Sequence, residues 1–130
     1  MNDEELLDLA RQAREKAYSP YSGFRVGAAI LDENGAVHIG CNVENAAYPQ
    51  GSCAETGAIA AMIAAGGRHI VRIAVAGGDG EKTTACTPCG GCRQRIHEFA
   101  DDDTRIVVKD DDGEWHSYGV ADLLPSSFHL

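Results

Sequence analysis

The first stretch of the chain has apolar residues at the spacing of an amphipathic helix. These residues are Leu6, Leu9, Ala10, Ala13 and Ala17. They recur on one face and predict a helix over residues 3–17. Asn2 with Glu5 resembles a capping box, and the acidic first turn and basic last turn suit the helix dipole. We expect this helix to cover a core with its apolar face and to end before residues 19–23, which break it.

Short β-type runs and helical segments share the rest of the chain. Residues 26–31 and 37–43 flank an Asp-Glu-Asn-Gly turn and predict an antiparallel pair of strands. Further predicted elements are strands over residues 70–76, 105–109 and 115–118, helices over 53–65 and 88–99, a helical turn over 120–124, a loop over 77–87 and a turn over 110–113. This order predicts an α/β fold with three layers (αβα) and a central mixed five-stranded sheet. We expect residues 1–130 to form a single domain.

Length and charge narrow the functions that remain. A chain of 130 residues buries roughly two-thirds of its unfolded surface, so it needs no metal merely to fold. Eleven basic residues against twenty acidic ones give a net charge of −9, which disfavours nucleic acid and anionic membranes as partners. The acidic N-terminus is unlike a secretory signal, and the longest apolar run, residues 58–65, is too short to span a bilayer. We expect a soluble, cytoplasmic protein with a small-molecule substrate.

Five cysteines, an odd number, indicate a metal or redox cluster rather than a disulfide framework. We expect Thr87 to be a helix N-cap and Pro88 to be the first helical residue, which places Cys89 and Cys92 near the first turn. Cys53 opens another predicted helix. The positive end of a helix dipole favours thiolate, the form that binds metal. Three thiolates with a fourth position left to water are typical of catalytic zinc, so these three cysteines are the predicted ligands.

Other interpretations of the cysteines are weaker. Cys86 lies three residues before Cys89, a spacing that resembles a ferredoxin motif. The fourth cysteine and the following proline of that motif are missing, which disfavours an iron-sulfur cluster. A lone C-x-x-C also occurs in structural zinc and thioredoxin-like sites. We expect Cys86 and Cys41 to be structural or incidental thiols.

Glu55 would turn a metal site into a reactive one. It follows Cys53 by two residues, where it can face the ion without binding it and can move protons for catalysis. The alternative is that Ser52 and Glu55 form only a capping box. Cys-Ala-Glu followed by Pro-Cys-x-x-Cys favours catalysis, because the combination matches the signature of zinc-dependent nucleoside and nucleobase deaminases.

The chain resembles, nearly end to end, the small cytidine deaminases of nucleoside salvage. The matching segments are residues 18–29 (YSPYSGFRVGAA), 40–49 (GCNVENAAYP), 52–55 (SCAE), 88–94 (PCGGCRQ) and 123–128 (LLPSSF). The resemblance implies a cytidine deaminase-like fold and one Zn²⁺ per chain, held by Cys53, Cys89 and Cys92. It implies hydrolytic deamination of cytidine and deoxycytidine to uridine and deoxyuridine with release of ammonia. It also implies a homotetramer.

The resemblance assigns roles to individual residues. Glu55 would be the proton shuttle, and Asn42 and Glu44 would hold the ribose 3′-hydroxyl. The Ala54 N–H would bind the base carbonyl, and the Thr87 carbonyl would receive the amino group. Ordinary turn chemistry is the alternative for the Asn-x-Glu pair. A carboxylate at that position would repel a 3′-phosphate, which favours a free nucleoside as the substrate.

Three aromatic residues and one alanine complete the implied nucleoside site. Phe24 would pack beside the nucleoside. Ala46, Tyr48 and Phe128 resemble residues that the family contributes across subunit boundaries. Core or interface packing is the alternative for the aromatic residues, and it is compatible with stacking on a substrate.

One position departs from the family pattern. Many members have arginine directly after the catalytic glutamate, where its charge can offset the thiolates, but this chain has Thr56. Three thiolates on a divalent cation leave one negative charge without compensation. We expect the helix dipoles and Arg93 to offset this charge, with Thr56 giving a neutral hydrogen bond.

Two competing functions stay open at this point. A structural or interaction domain with bound zinc would tolerate Glu55→Gln with metal and fold intact, and it would lose no activity. A deaminase of another amino-pyrimidine, of the blasticidin S type, shares the zinc motifs and a Leu-Leu-Pro near the end. The Asn-Val-Glu-Asn of residues 42–45 and the aromatic ring of Phe128 favour cytidine.

Overall fold

The computed structural model describes residues 1–79, 82–110 and 112–130. Its strands are β1 (Arg25–Asp32), β2 (Val37–Cys41), β3 (Ile70–Asp79), β4 (Lys82–Thr84), β5 (Arg105–Lys109) and β6 (Trp115–Gly119). Its helices are α1 (Asp3–Arg14), α2 (Ala54–Ala64), α3 (Gly90–Glu98) and α4 (Val120–Leu123), with a short 3₁₀ helix at Tyr48–Gln50. Within the described ranges, no helix is both long and apolar enough to cross a membrane.

The first helix forms as predicted at its start and ends earlier than predicted. Asn2 caps α1 by accepting a hydrogen bond from the Glu5 N–H at 2.8 Å. The helix ends at Arg14 rather than at residue 17, and Glu15 is its C-cap. The apolar face is therefore shorter than the sequence periodicity indicates, and Ala17 lies beyond it.

The largest difference from the predicted elements lies after the central strand. β3 continues to Asp79 and β4 follows, so the predicted loop over residues 77–87 is wrong where these strands form. Consecutive glycines concealed this pairing, because glycine has low strand propensity. Residues 80 and 81 of that loop, and residue 111 of the turn predicted over 110–113, lie outside the described residues.

The sheet is mixed, as predicted. Along its main path the strand order is β2-β1-β3-β5-β6, and β4 pairs with β3 off this path. β3 and β5 run parallel, and the other pairs are antiparallel. The five strands of the main path are the five predicted ones, and β4 is a sixth. β1 and β2 form the predicted hairpin, with Gly27 opposite Cys41.

Helices cover both faces of the sheet and give the three predicted layers. On one face, α1 packs residues such as Leu6 against the small side chains of Ala29 and Ala74. On the other face, α2, α3 and α4 pack against larger side chains, among them Ile30 and Ile73. Successive residues of a strand point to opposite faces, so each central strand contributes to both cores.

Two glycines allow the backbone of a helix to pack directly against the backbone of a strand. A Cβ on Gly27 would lie 2.0 Å from the Ala10 carbonyl oxygen of α1. A Cβ on Gly40 would lie 2.3 Å from the Ala58 nitrogen of α2. A larger residue at either position would push the helix away from the strand. Gly40 therefore fixes how closely α2, which begins directly after Cys53, lies against β2.

Candidate metal centre

Three thiols meet where two helices begin. Cys53 is the N-cap of α2 and Cys89 is the N-cap of α3, and both have extended backbone. Cys92 lies in the first turn of α3 and is fully buried. The three Sγ atoms lie within 4.8 Å of one another. The structure therefore brings the three predicted metal ligands together as one group.

The start of α3 differs from the sequence prediction. The helix begins at Gly90, so Thr87 is not its N-cap and Pro88 is not its first residue. The reason is the backbone of Cys89, whose ψ of 167° is extended and excludes the preceding residues from the helix. Among the described residues, its thiol makes no side-chain capping hydrogen bond. The thiol is thus not used to cap the helix and can bind a metal ion.

The start of α2 shows whether Ser52 and Glu55 form a capping box. The N-cap of this helix is Cys53 rather than Ser52, so the interpretation of Ser52 and Glu55 as a capping box is wrong. Within the part of the chain that the structure describes, the Cys53 side chain makes no capping hydrogen bond either. Both helices therefore begin with a thiol at the N-cap, close to the positive end of the helix dipole.

Glu55 is the acidic group of the site. It lies in the first turn of α2, and its side chain is only 4 % exposed. Burial raises its pKa, an effect partly opposed by its backbone N–H, by a hydrogen bond with Cys92 and by the charge of Arg95. A buried carboxyl with a raised pKa can accept and release a proton closer to neutral pH than an exposed one.

The thiols differ among themselves in acidity. Burial raises the pKa of Cys53 and of Cys92, and the neighbouring charge of Glu55 raises both further. Burial also acts on Cys89, but hydrogen bonds from the Cys92 backbone and from the other two thiols outweigh it and lower the pKa. Thiolates and a carboxylate this close together repel one another, so a cation among them would favour their ionised forms. Zn²⁺ favours thiolate ligands and takes three protein ligands in catalytic sites, so this donor set fits zinc.

A cavity of about 300 Å³, within the range of small-molecule sites, adjoins the thiols. Its lining residues are Val26, Asn42, Val43, Glu44, Gly51, Ser52, Cys53, Ala54, Glu55, Cys86, Thr87 and Cys89. The predicted sugar, base and catalytic residues therefore line one space. Cys86, expected to be a structural or incidental thiol, also lines this cavity, and burial raises its pKa to about 11. That thiol is neutral near pH 7.

Asn42 joins β2 to the segment that enters β1. Its Oδ1 accepts a hydrogen bond from the Val26 N–H at 2.8 Å, and its Nδ2 donates to the Phe24 carbonyl at 2.9 Å. The Phe24 ring packs over Gly77 beside Cys86, since a Cβ on that glycine would lie 2.8 Å from both side chains. The side-chain amide is therefore held in one orientation. Each of its polar atoms has further hydrogen-bonding capacity.

Glu44 binds the loop that precedes β1. Its carboxylate accepts hydrogen bonds from the Tyr21 and Ser22 N–H groups at 2.9 and 3.1 Å, and another from the Ser22 hydroxyl. The bond from the hydroxyl is the main reason that the pKa of Glu44 is lowered, although burial opposes it. Glu44 is therefore ionised at neutral pH and holds this loop beside the cavity.

The base-binding groups implied by the family lie at the two helix starts. Ala54 is fully buried and is the first residue of α2, where backbone N–H groups have no partner within the helix. Thr87 lines the cavity shortly before α3. Ala54, Glu55 and Thr87 therefore line the same cavity.

The three residues expected to act across subunit boundaries are exposed in this chain. Ala46 lies in the loop after β2, and Tyr48 is 76 % exposed. The Tyr48 ring meets that of Tyr21 edge-on, with centroids 6.1 Å apart, in a second cavity of about 400 Å³. Phe128 is 68 % exposed, and its backbone exchanges two hydrogen bonds with the Gln94 side chain of α3. None of the three is among the described residues that line the first cavity.

Two arginines of α3 lie near the thiols and have different partners. Arg93, which we expected to offset the thiolate charge, donates to the Pro88 and Leu123 carbonyls at 2.8 and 2.9 Å. Arg95, which was not predicted as a site residue, places its Nη1 3.5 Å from the Cys92 Sγ. The signal that could have found Arg95 is its spacing of three residues from Cys92, which makes the two side chains neighbours on a helix.

The layered α/β fold and the three thiols beside a buried carboxyl define a zinc-dependent hydrolase. Residues 1–109 match the family model described as the cytidine and deoxycytidylate deaminase zinc-binding region. The chain belongs to this deaminase family. A cytidine deaminase from Sporosarcina psychrophila is 39 % identical over 128 residues, which cover 98 % of this chain and 92 % of that protein. The family consists of enzymes, so a purely structural zinc domain is not supported.

Solved structures confirm the predicted fold class. The crystal structure of cytidine deaminase from Burkholderia pseudomallei has a TM-score of 0.87 and 42 % identity, over 98 % of this chain and 100 % of that one. Cytidine deaminase from Mycobacterium tuberculosis has a TM-score of 0.86 and 36 % identity, over 100 % and 99 % of the two chains. The resemblance on which the sequence interpretation depends is therefore confirmed.

Proposed function

We propose that this chain deaminates cytidine and deoxycytidine hydrolytically to uridine and deoxyuridine, with release of ammonia, in pyrimidine nucleoside salvage. The observation that carries the proposal is the position of Glu55. It is a buried carboxyl with a raised pKa beside three clustered thiols, on the wall of a cavity of small-molecule size. The similarity to cytidine deaminases over nearly the whole chain supports the same substrate.

Glu55 moves the protons of the reaction. When held by Cys53, Cys89 and Cys92, zinc supplies a Lewis acid that makes water nucleophilic near neutral pH. Glu55 takes a proton as water attacks C4 of the cytosine ring and delivers it to N3. It then takes the second proton from the new C4 hydroxyl and gives it to the departing amine, so that the C4–N bond breaks and the C4 carbonyl forms. The raised pKa of Glu55 suits this role, because a group that both accepts and donates works best near the operating pH.

Backbone groups at the helix starts orient the base. The Ala54 N–H donates to the base carbonyl, and the Thr87 carbonyl accepts from the amino group. A ring that lacks the amino group would leave a buried acceptor without a partner, which costs far more than a lost apolar contact. The same pair of groups therefore selects an amino-pyrimidine and places its C4 atom near Glu55. Phe24 packs beside the nucleoside.

Asn42 and Glu44 hold the ribose 3′-hydroxyl. Both line the cavity, and hydrogen bonds to neighbouring backbone fix both side chains. The Glu44 carboxylate accepts from a hydroxyl and repels a 3′-phosphate at the same place. Together with the net charge of −9, this favours free nucleosides over nucleotides and polynucleotides.

The active form is a homotetramer in which Ala46, Tyr48 and Phe128 complete the site of a neighbouring subunit. The exposure of the two aromatic side chains supports this, since aromatic residues are enriched at protein interfaces. Residues 1–130 act as one deaminase domain. The free thiols of the chain favour the reducing cytoplasm as its compartment.

The test is a turnover assay on zinc-quantified protein, which follows the loss of cytosine absorbance with cytidine as substrate. We expect the wild type to turn over with about one zinc per chain, and Glu55→Gln to lose roughly 10²- to 10⁴-fold in kcat, the scale of general acid-base catalysis. The variant should keep its zinc. Activity that survives Glu55→Gln would contradict the role of Glu55. Bound zinc without turnover of cytidine would contradict the substrate and favour another amino-pyrimidine.

A further inference from the structure

Arg95 provides a cation at the thiol cluster. Its Nη1 lies 3.5 Å from the Sγ of Cys92, which is within hydrogen-bonding range for sulfur. The two residues are three positions apart on α3, so the helix itself brings them together. The same guanidinium is close enough to Glu55 that its charge lowers the pKa of that carboxyl. Arg95 is thus near two of the anionic groups of the site.

The surroundings of Arg95 leave room for this contact. A Cβ on Gly91 would lie 3.1 Å from the Arg95 Nη1 and 3.8 Å from its Cζ, so the guanidinium packs directly over a residue that has no side chain. Thr56 of α2 and Arg95 of α3 line one further cavity of about 300 Å³. A small polar residue on α2 and a glycine on α3 therefore border the space in which the guanidinium lies.

The contact between Arg95 and Cys92 matters because the metal centre carries excess negative charge. Three thiolates on Zn²⁺ leave one negative charge, and Glu55 adds another when it is ionised. The guanidinium of Arg93 donates to the Pro88 and Leu123 carbonyls and so anchors backbone. Among the contacts of the described residues, it is Arg95 that joins a guanidinium to a ligand sulfur.

We propose that Arg95 is a positioning residue of the metal centre, which offsets the charge of the zinc-thiolate group and holds Cys92 in its ligating position. Thr56 gives the α2 side of the group no positive charge, and Arg95 supplies one from α3. Zinc is retained longer as a result. The inference rests on the zinc site of the proposed function, and it is independent of which amino-pyrimidine is deaminated.

The test measures the rate at which zinc-loaded protein releases its metal to an excess of a coloured chelator. We expect Arg95→Gln to release zinc roughly 10-fold faster than the wild type, the lower end of the range for residues that support metal ligands. Arg95→Lys retains the charge and should recover part of the loss. Arg105→Gln is the matched control, because Arg105 is exposed and bonds only to Ser117 among the described contacts. This control should release zinc like the wild type.

Salt distinguishes a charge effect from packing. Arg95 is exposed, so its attraction to the thiolates is screened, and the difference between wild type and Arg95→Gln should shrink as ionic strength rises. Equal release rates for wild type and Arg95→Gln would overturn the inference. So would equally fast release from Arg95→Lys, or a difference that salt does not change. Wild-type protein that binds no zinc would instead contradict the proposed function itself.

Discussion

Two glutamates line the same cavity, and their surroundings give them opposite properties. Glu55 is buried at the start of α2, and burial raises its pKa. Glu44 accepts hydrogen bonds from Tyr21 and Ser22, of which the bond from the Ser22 hydroxyl contributes most to its lowered pKa. One carboxyl can carry a proton, and the other stays charged as an acceptor. The residue type is the same, so the environment decides the role.

The two carboxyls also mark two ends of the site that are built in different ways. At the metal end, helix starts place Cys53, Cys89 and Glu55 directly, and a close approach at Gly40 fixes one of these helices against the sheet. At the sugar end, side chains hold a loop, and Tyr48 remains exposed. The three thiols of the metal end come from one chain, whereas in the proposed homotetramer neighbouring subunits would complete the sugar end.

Removal of one thiol should have the largest effect. We expect Cys53→Ala to bind well below one zinc per chain and to lose about 10³-fold or more in turnover, because a catalytic metal supplies several kcal/mol to the transition state. Metal content by atomic spectroscopy and turnover of cytidine measure both effects. Cys41→Ala is the matched control, since Cys41 lies on β2 outside the thiol cluster. A Cys53→Ala variant with full zinc content would show that Cys53 is not a zinc ligand.

The metal end could be predicted from sequence more fully than the sugar end. Cys53 and Cys89 lie at helix starts, and such starts leave local signals in the chain. Even so, Pro88 led to a start two residues too early, because proline suits the first helical position but does not by itself begin a helix. The contact between Arg95 and Cys92 was not predicted, although a spacing of three residues on one helix favours it. The hydrogen bonds that direct Arg93 to Pro88 and Leu123 exist only in the folded chain.

The features that the sequence does not predict depend on contacts between distant parts of the chain. The bond of Glu44 to the loop at Tyr21 and Ser22 joins residues more than twenty positions apart, and no periodicity predicts it. β4 lies in a stretch of glycine and threonine whose composition is typical of a loop, and its pairing with β3 exists only in the folded sheet. The core and the layers were predictable because hydrophobic periodicity determines them.

Loss of the hydrogen bonds between Glu44 and the loop at Tyr21 and Ser22 should weaken substrate binding more than it slows the chemical step. Glu44→Gln removes the charge that accepts from Tyr21 and Ser22, and we expect KM for cytidine to rise about tenfold or more with a smaller change in kcat. Steady-state kinetics measure the two separately. Ser22→Ala removes only the hydroxyl partner and should give a smaller rise in KM. A fall in kcat with KM unchanged would show that Glu44 belongs functionally to the metal end.

The pH dependence of stability gives an independent check on Glu44. Its pKa in the folded protein is lowered below the ordinary value of 4.5, so its ionised form stabilises the fold at higher pH. This contribution is lost as pH falls through the lowered pKa. The difference in denaturation midpoint between wild type and Glu44→Gln should therefore be constant above pH 4.5 and should narrow below it. A difference that widens with acidification would contradict the assignment.

The smallest effect is expected from substitution of Tyr48, which tests how the sugar end of the cavity is built. Its ring meets Tyr21 edge-on, so it touches the loop that Glu44 holds, while most of its surface is exposed. An aromatic pair contributes about 0.5–1.5 kcal/mol, so Tyr48→Ala should raise KM about two- to tenfold through the loop alone. Tyr48→Phe keeps the ring and should behave like wild type.

Dilution then separates the two possible roles of Tyr48. If the ring also completes a neighbouring subunit's site, sedimentation should show weaker assembly of Tyr48→Ala, and its activity per chain should fall on dilution sooner than that of the wild type. The zinc content should not change, because the metal end belongs to one chain. A fully active wild-type monomer would remove Tyr48 and Phe128 from the site and leave only the contact with Tyr21. Loss of zinc on dilution would instead show that both ends of the cavity depend on assembly.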